Sequence, residues 1–359
     1  MHPTSPNPLD PLPSTLHNTM APATAASSSS SPGQRNTSSS LPSEPFPFLD
    51  KFITGLGSIR HSPWLPDLEL MHHYTSSTFL TLPRAADLHH IWQIEVPKLA
   101  ISHTFLLHQV LALSAQHQSH LHLDRYSHYS IYASVHQNRA IAGLRTALTS
   151  IDYNTCHEIF IVSSLLSISA FATFSNFGGV CERPRMDDLL NVFQLVRGMS
   201  RILDSFTALL QQGTLGKLFL KEETSRPAPL LTAIVEELRQ IDIPETIHLA
   251  DASVCRESIA GVISWVEAAI LTTSTPDLRV CLSFAMCLTE EFIDLIQQRH
   301  PVALLIVTYY CVILHFTGQD HWYLRGWGRS IMDDIAVNIE PGWHKKMKWP
   351  MGIVENGSI

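Results

Sequence analysis

Glu257–Ile270 reads ESIAGVISWVEAAI. Its apolar positions are Ile259, Val262, Ile263, Val266, Ala269 and Ile270. Steps of three and four residues place them along one stripe of a helix, because 3.6 residues make a turn. Asp187–Leu203 repeats the pattern with Leu189, Val192, Phe193, Val196 and Leu203. Asp187 and Asp188 complement the positive end of that helix, and Arg201 its negative end. Tyr129–Leu148 carries Ile131, Val135, Ile141, Leu144 and Leu148 on one side, with Arg139 and Arg145 toward the other. That spacing predicts a buried apolar stripe facing away from the arginines. Leu230–Leu238 and Leu282–Ile296 read as further amphipathic helices. Pro301 is placed to open the last core helix, where its missing N–H costs nothing. No run alternates with the period of a strand, and no repeat of solenoid period is visible. Breaks are expected at Phe177–Arg185, Gly213–Pro229 and Thr272–Pro276, where Gly, Pro, Ser and Thr gather. The fold class that follows is all-α: a single large helical domain over residues 61–359, built of roughly ten to thirteen packed helices.

Residues 1–60 are of another kind. Up to residue 48 they are dominated by Pro, Ser and Thr, with a serine run at Ser27–Ser31. Too little apolar surface is present to offset ordering entropy, so a disordered N-terminal tail is expected. Over the whole chain, 45% of the 359 residues are hydrophobic and 16% charged, as in a packed globular protein. The formal net charge of −8 disfavours direct binding to a polyanion, which needs clustered Lys and Arg. The densest basic spot, Lys345, Lys346 and Lys348, reads as a solvated face.

The six cysteines are Cys156, Cys181, Cys255, Cys281, Cys287 and Cys311, with no C-x-x-C pair. Most lie in apolar helical text, so free thiols in a reducing compartment are expected. The first 50 residues show no charged start followed by an apolar run, so no signal peptide is expected. Ile159–Phe174 and Val302–Phe316 are strongly apolar, but both fall short of the ~20 residues a bilayer needs. They read as buried core helices rather than membrane spans.

No catalytic constellation emerges. Among 20 histidines, His117, His120 and His122 are close in sequence, yet their spacing gives no clean two-His face and there is no H-E-x-x-H. Asp187-Asp188-Leu-Leu-Asn191 faintly resembles the Asp-rich motif of all-α terpene cyclases. Its distal carboxylate is missing at Asn191, and Asp333-Asp334 does not begin the second metal motif that such enzymes need. G-x-S-x-G, a P-loop and G-x-G-x-x-G are absent as well. A non-enzyme without metal or cofactor is expected. The alternatives are a terpene-cyclase-like enzyme and a protein-interaction or dimerisation module.

Five pieces in order carry a family resemblance. Leu68-Glu69-Leu70-Met71-His72-His73-Tyr74 is followed by Thr78-Phe79-Leu80-Thr81-Leu82. Next come Trp92, Val96-Pro97 and Ala100. His103, Leu113-Ser114-Ala115 and His136-Gln137 form the third piece. Asn154-Thr155-Cys156 leads into Ser163-Ser164-Leu165-Leu166 and Phe171-Ala172. The chain closes on Trp322, Gly326-Trp327, Trp343 and Trp349-Pro350. Together, over about Trp64 to Met351, they resemble the regulatory region of fungal Zn2Cys6 transcription factors, the sterol-uptake-control-like branch above all.

The resemblance implies a helical regulatory domain of a nuclear transcriptional regulator, with an apolar ligand pocket between C-terminal helices. The residues supply their own case for a pocket. Ile159–Phe174 and Val302–Phe316 are apolar nearly all round, with Ser, Thr, Tyr and Cys interspersed. A cavity between such helices would be apolar with a few orienting hydroxyls, suiting a sterol-like or polyketide-like ligand. The candidate lining is Phe160, Ser163, Leu166, Phe171, Tyr309, Tyr310 and Leu314. The family's DNA reader is an N-terminal six-cysteine cluster holding two zinc ions, whereas here no cysteine precedes Cys156. The expectation is therefore a regulator without its own zinc cluster. It would reach DNA through a partner or through a missing N-terminal segment, and would form a homo- or heterodimer. Its targets would be a metabolic or secondary-metabolite gene cluster.

Overall fold

The computed structural model describes residues 64–83, 85–151, 155–174, 183–222 and 227–357. The expected tail, Asn154, Gly178, Gly179 and Cys181 lie outside the described residues. Among those described, every regular element is helical, which is the expected all-α class.

The centre is the helix Pro301–Asp320. Pro301 occupies its first turn, as its fixed φ favours. From Val302 to Leu314 every side chain is buried, the condition of a helix that is apolar all round. It packs against Pro229–Arg239, Leu249–Thr272, Pro276–Ser283, Glu290–Gln297, Trp327–Asn338 and Lys348–Asn356. It is thus not the last core helix, since two more close over it. Nor is it short: its 20 residues meet the length and apolarity for crossing a bilayer. The surrounding helices give that apolarity another use.

Two neighbours are pulled unusually close. Gly326 adopts φ 82° and caps the Trp327–Asn338 helix, a conformation that favours glycine. A Cβ on Gly328 would lie 2.3 Å from the Cys311 carbonyl oxygen and 2.4 Å from the His315 nitrogen. Only glycine lets these two backbones cross at that distance. Trp327 itself is fully buried, and its Nε1–H donates to the Phe171 carbonyl at 2.9 Å. The helix Cys156–Ala172 is thereby tied to the C-terminal layer.

The quoted stripe lies within the helix Leu249–Thr272, where Cys255, Ser258, Val262, Val266 and Ala269 are buried. Met186–Asp204 buries Leu189, Val192 and Phe193. Two readings need correction. In the helix Tyr126–Ala147 Leu144 is buried and Ile141 packs against the core as expected, but the rest of the buried stripe is Tyr129, Ala133, His136 and Ala140, while Ile131 is 64% and Val135 41% exposed. The small Ala133 and Ala140 admit the neighbouring helix Thr104–Leu121 closely, and Tyr129 and His136 find polar partners there and on Leu65–Ser76. Small size and hydrogen bonding outweighed apolarity. Leu282–Ile296 is not one helix either. Pro276–Ser283 runs into a 3₁₀ turn at Phe284–Cys287 and a new helix starts at Glu290. Thr289 caps it by accepting the Phe292 N–H at 3.2 Å, with Glu290 and Glu291 in the first turn.

Candidate ligand cleft

The face of Cys156–Ala172 turned away from the centre carries Phe160, Ser163, Ser164, Ser167 and Ile168. Opposite stand Val196, Met199 and Ser200 of the Met186–Asp204 helix, and Leu218 and Phe219 close one side. These surfaces enclose a cleft of about 520 Å³, within the range of small-molecule sites. Phe160 and Phe219 pack ring to ring at 5.0 Å. Trp92 forms part of the rim and is fixed by donating its Nε1–H to the Pro83 carbonyl at 2.9 Å.

The serines have a specific state. Ser163, Ser164 and Ser167 donate to the carbonyls of Ile159, Phe160 and Ser163, one helical turn back. Their protons are used within the helix, so what they offer the cleft is oxygen lone pairs. Asp204, at the rim, is the one ionisable side chain among the lining residues.

A second cleft of about 450 Å³ adjoins the first and shares Pro83, Leu218, Phe219 and Leu282 with it. Beyond Phe219 it is bounded by Leu278 and Thr273 and by three charged residues, Lys221, Glu222 and Arg279.

Of the residues expected to line a pocket, Phe160 and Ser163 meet at the first cleft. The other five are packed elsewhere. Leu166 and Leu314 are buried among core side chains. Phe171 meets Trp327 edge-on at 5.0 Å. Tyr309 stacks on Trp349 at 5.7 Å. Tyr310 stacks on Phe284 at 4.1 Å and donates to the Cys281 carbonyl at 2.6 Å. Val196 and Met199 were missed although Val196 belongs to a recognised apolar stripe. Phe219 and Trp92 sit in short irregular elements where periodicity carries no signal.

The other candidates have structural partners. Asp187 pairs with Arg299 at 2.6 Å, and Asp188 accepts the Arg185 N–H at 2.8 Å. Asp333 pairs with Arg329 at 3.4 Å, and Asp334 accepts the Met186 N–H at 2.9 Å. His117 Nδ1 lies 3.2 Å from His73 Nε2 and 3.1 Å from the Thr78 hydroxyl, while its ring stacks on Trp322. Burial first, then His73 and His120, push its pKa down to about 3. His120 lies against Trp322 and His122 near Tyr129, so the three do not converge. Among the described residues, no group of three His, Cys, Asp or Glu side chains is placed to hold a metal ion.

No family model matches the chain. Sequence relatives are nevertheless found over most of it. The chain is 26% identical over 246 residues to the Zn(2)-C6 fungal-type transcription factor afumD of Aspergillus fumigatus, which covers 67% of this chain and 65% of that protein. A Zn(2)-C6 fungal-type transcription factor of Gibberella zeae is 23% identical over 328 residues, 82% of this chain and 63% of its own. Sterol uptake control protein 2 of Candida albicans is 29% identical over 370 aligned positions, 92% of this chain and 49% of its own. The chain's homologues are fungal Zn(2)-C6 transcription factors. It spans between 49% and 65% of the length of these three.

Proposed function

We propose that the chain is a nuclear transcriptional regulator whose helical domain senses a small apolar molecule in the Phe160–Met199 cleft. The observation that carries the reading is the relatedness of 67% to 82% of the chain to proteins named as transcription factors. The relative named for control of sterol uptake, together with an apolar cleft edged with hydroxyl acceptors, supports a lipid-like ligand. The genes controlled are those of a metabolic or secondary-metabolite pathway. DNA is reached through a partner or through a segment other than the helical domain, and the regulator works as a homo- or heterodimer.

The test joins the full 359-residue chain to a heterologous DNA-binding domain upstream of a reporter, with transcripts measured in parallel after deletion of the gene. A reporter response, and altered transcripts for a coherent set of metabolic genes, are expected. Unchanged transcripts combined with the loss of one metabolite would instead mark an enzyme.

A further inference from the structure

The two clefts adjoin, sharing Pro83, Leu218, Phe219 and Leu282 in their walls, and are treated as the two ends of one groove. Its ends differ in charge. The first chamber has one ionisable lining residue, the exposed Asp204. The second has Lys221 and Arg279. Neither cation forms an ion pair among the described residues, and Arg279 makes only a hydrogen bond to the Thr272 hydroxyl at 3.3 Å. Glu222 is turned to the neighbouring backbone: it accepts the Ser274 N–H at 2.6 Å and the Thr273 hydroxyl at 3.4 Å. Among the described residues, two cations without an ion-pair partner thus stand at one end of the groove, beside Glu222 and the hydroxyls of Thr272, Thr273, Thr275 and Ser283.

We propose that the groove binds a long-chain monocarboxylate, with its carboxylate between Lys221 and Arg279 and its alkyl chain passing Phe219 into the Phe160–Met199 chamber. The proposal rests on the ligand-sensing reading above and specifies its chemistry. Charge fixes the direction. A carboxylate in the first chamber would face Asp204 alone, whereas at the other end two cations outnumber the Glu222 carboxylate and offer charge-assisted hydrogen bonds from an ammonium and a guanidinium. Leu218, Phe219, Leu278 and Leu282 give the carbons next to the head an apolar wall. A neutral polycyclic alcohol would leave both cations unmatched.

The experiment is calorimetric titration of the purified full chain with hexadecanoate, hexadecanol and cholesterol, each below its aggregation concentration. Hexadecanoate is expected to bind about tenfold more tightly than hexadecanol, a margin of the size that partly exposed charge pairs supply. Lys221→Ala with Arg279→Ala, two exposed positions, should bring hexadecanoate to the affinity of hexadecanol. Met199→Trp, which fills the tail chamber, should abolish binding of both, with circular dichroism confirming that each variant is folded. If hexadecanol or cholesterol binds as tightly as hexadecanoate, the anionic head is refuted while the apolar sensing cleft stands. If the double variant leaves hexadecanoate binding unchanged, the placement of the head is refuted. If none of the three binds, this proposal falls and the sensing cleft falls with it.

Discussion

The helices Leu65–Ser76 and Pro301–Asp320 are held by opposite means. The second is buried without a break from Val302 to Leu314, and dispersion and the hydrophobic effect account for its place. The first buries only Leu70 and Tyr74. Polar contacts dock the rest of it. Ser114 donates to the Leu70 carbonyl at 2.6 Å, and the Tyr129 hydroxyl to Glu69 at 2.7 Å. His136 Nε2 stands 3.3 Å from Asp67, and His73 reaches His117. His108 Nδ1 lies 3.0 Å from His136 Nδ1, completing a second imidazole pair. An apolar helix tolerates any pH but no change of shape. A helix docked through neutral imidazoles tolerates some change of shape but not protonation.

The largest effect should come from emptying the apolar side. Trp327→Ala removes a fully buried indole and its bond to Phe171, and should cost about 3–5 kcal/mol in urea unfolding. Gly328→Ala tests shape alone. Its new methyl meets backbone atoms of Cys311 and His315 rather than a flexible side chain, so a loss of about 1–3 kcal/mol is expected by the same measurement.

Acid should act on the other side. The His117 pKa is depressed in the folded protein to about 3, against ~6.5 for an unfolded histidine. Below about pH 6.5 the unfolded chain therefore binds more protons than the folded one. Stability falls as pH drops from there toward 3, by up to about 1.4 kcal/mol per pH unit for this group. Burial lowers His108 and His136 in the same direction. His117→Gln should flatten part of the slope between pH 7.5 and 5; an unchanged slope would break the contrast between the two helices. The smallest effect is set by Ile131, which is exposed. Ile131→Glu should change stability by no more than about 0.5 kcal/mol, and a large loss would restore the stripe read from the sequence.

Where a helix is anchored by apolar side chains, spacing alone located it, as at Glu257–Ile270 and in the Met186–Asp204 helix. The Tyr126–Ala147 stripe read from spacing holds at Ile141, Leu144 and Leu148, which pack into the core, and fails at Ile131 and Val135. Beside Leu144 the helix buries two alanines, a tyrosine and a histidine, and the last two depend on Glu69, Asp67 and His108 in distant turns. Thr289 was legible in principle, since a Thr before two glutamates announces a helix start, yet the apolar run across it hid the break. Of the seven residues expected to line a pocket, two reach the cleft. Phe160 and Ser163 belong to a conspicuous helix, but the apolar run holding Tyr309, Tyr310 and Leu314 is so well covered that it forms core. Phe219, Lys221 and Arg279 meet only through the path of an irregular segment, which no local pattern encodes.

The back-bonded serines of the Cys156–Ala172 helix bear on water. Hydroxyls that already donate to Ile159, Phe160 and Ser163 leave no donor stranded when the groove dries. Its first chamber can therefore be emptied with little polar desolvation penalty. For the ligand proposed above, the expected calorimetric mark of entering that chamber is a negative change in heat capacity.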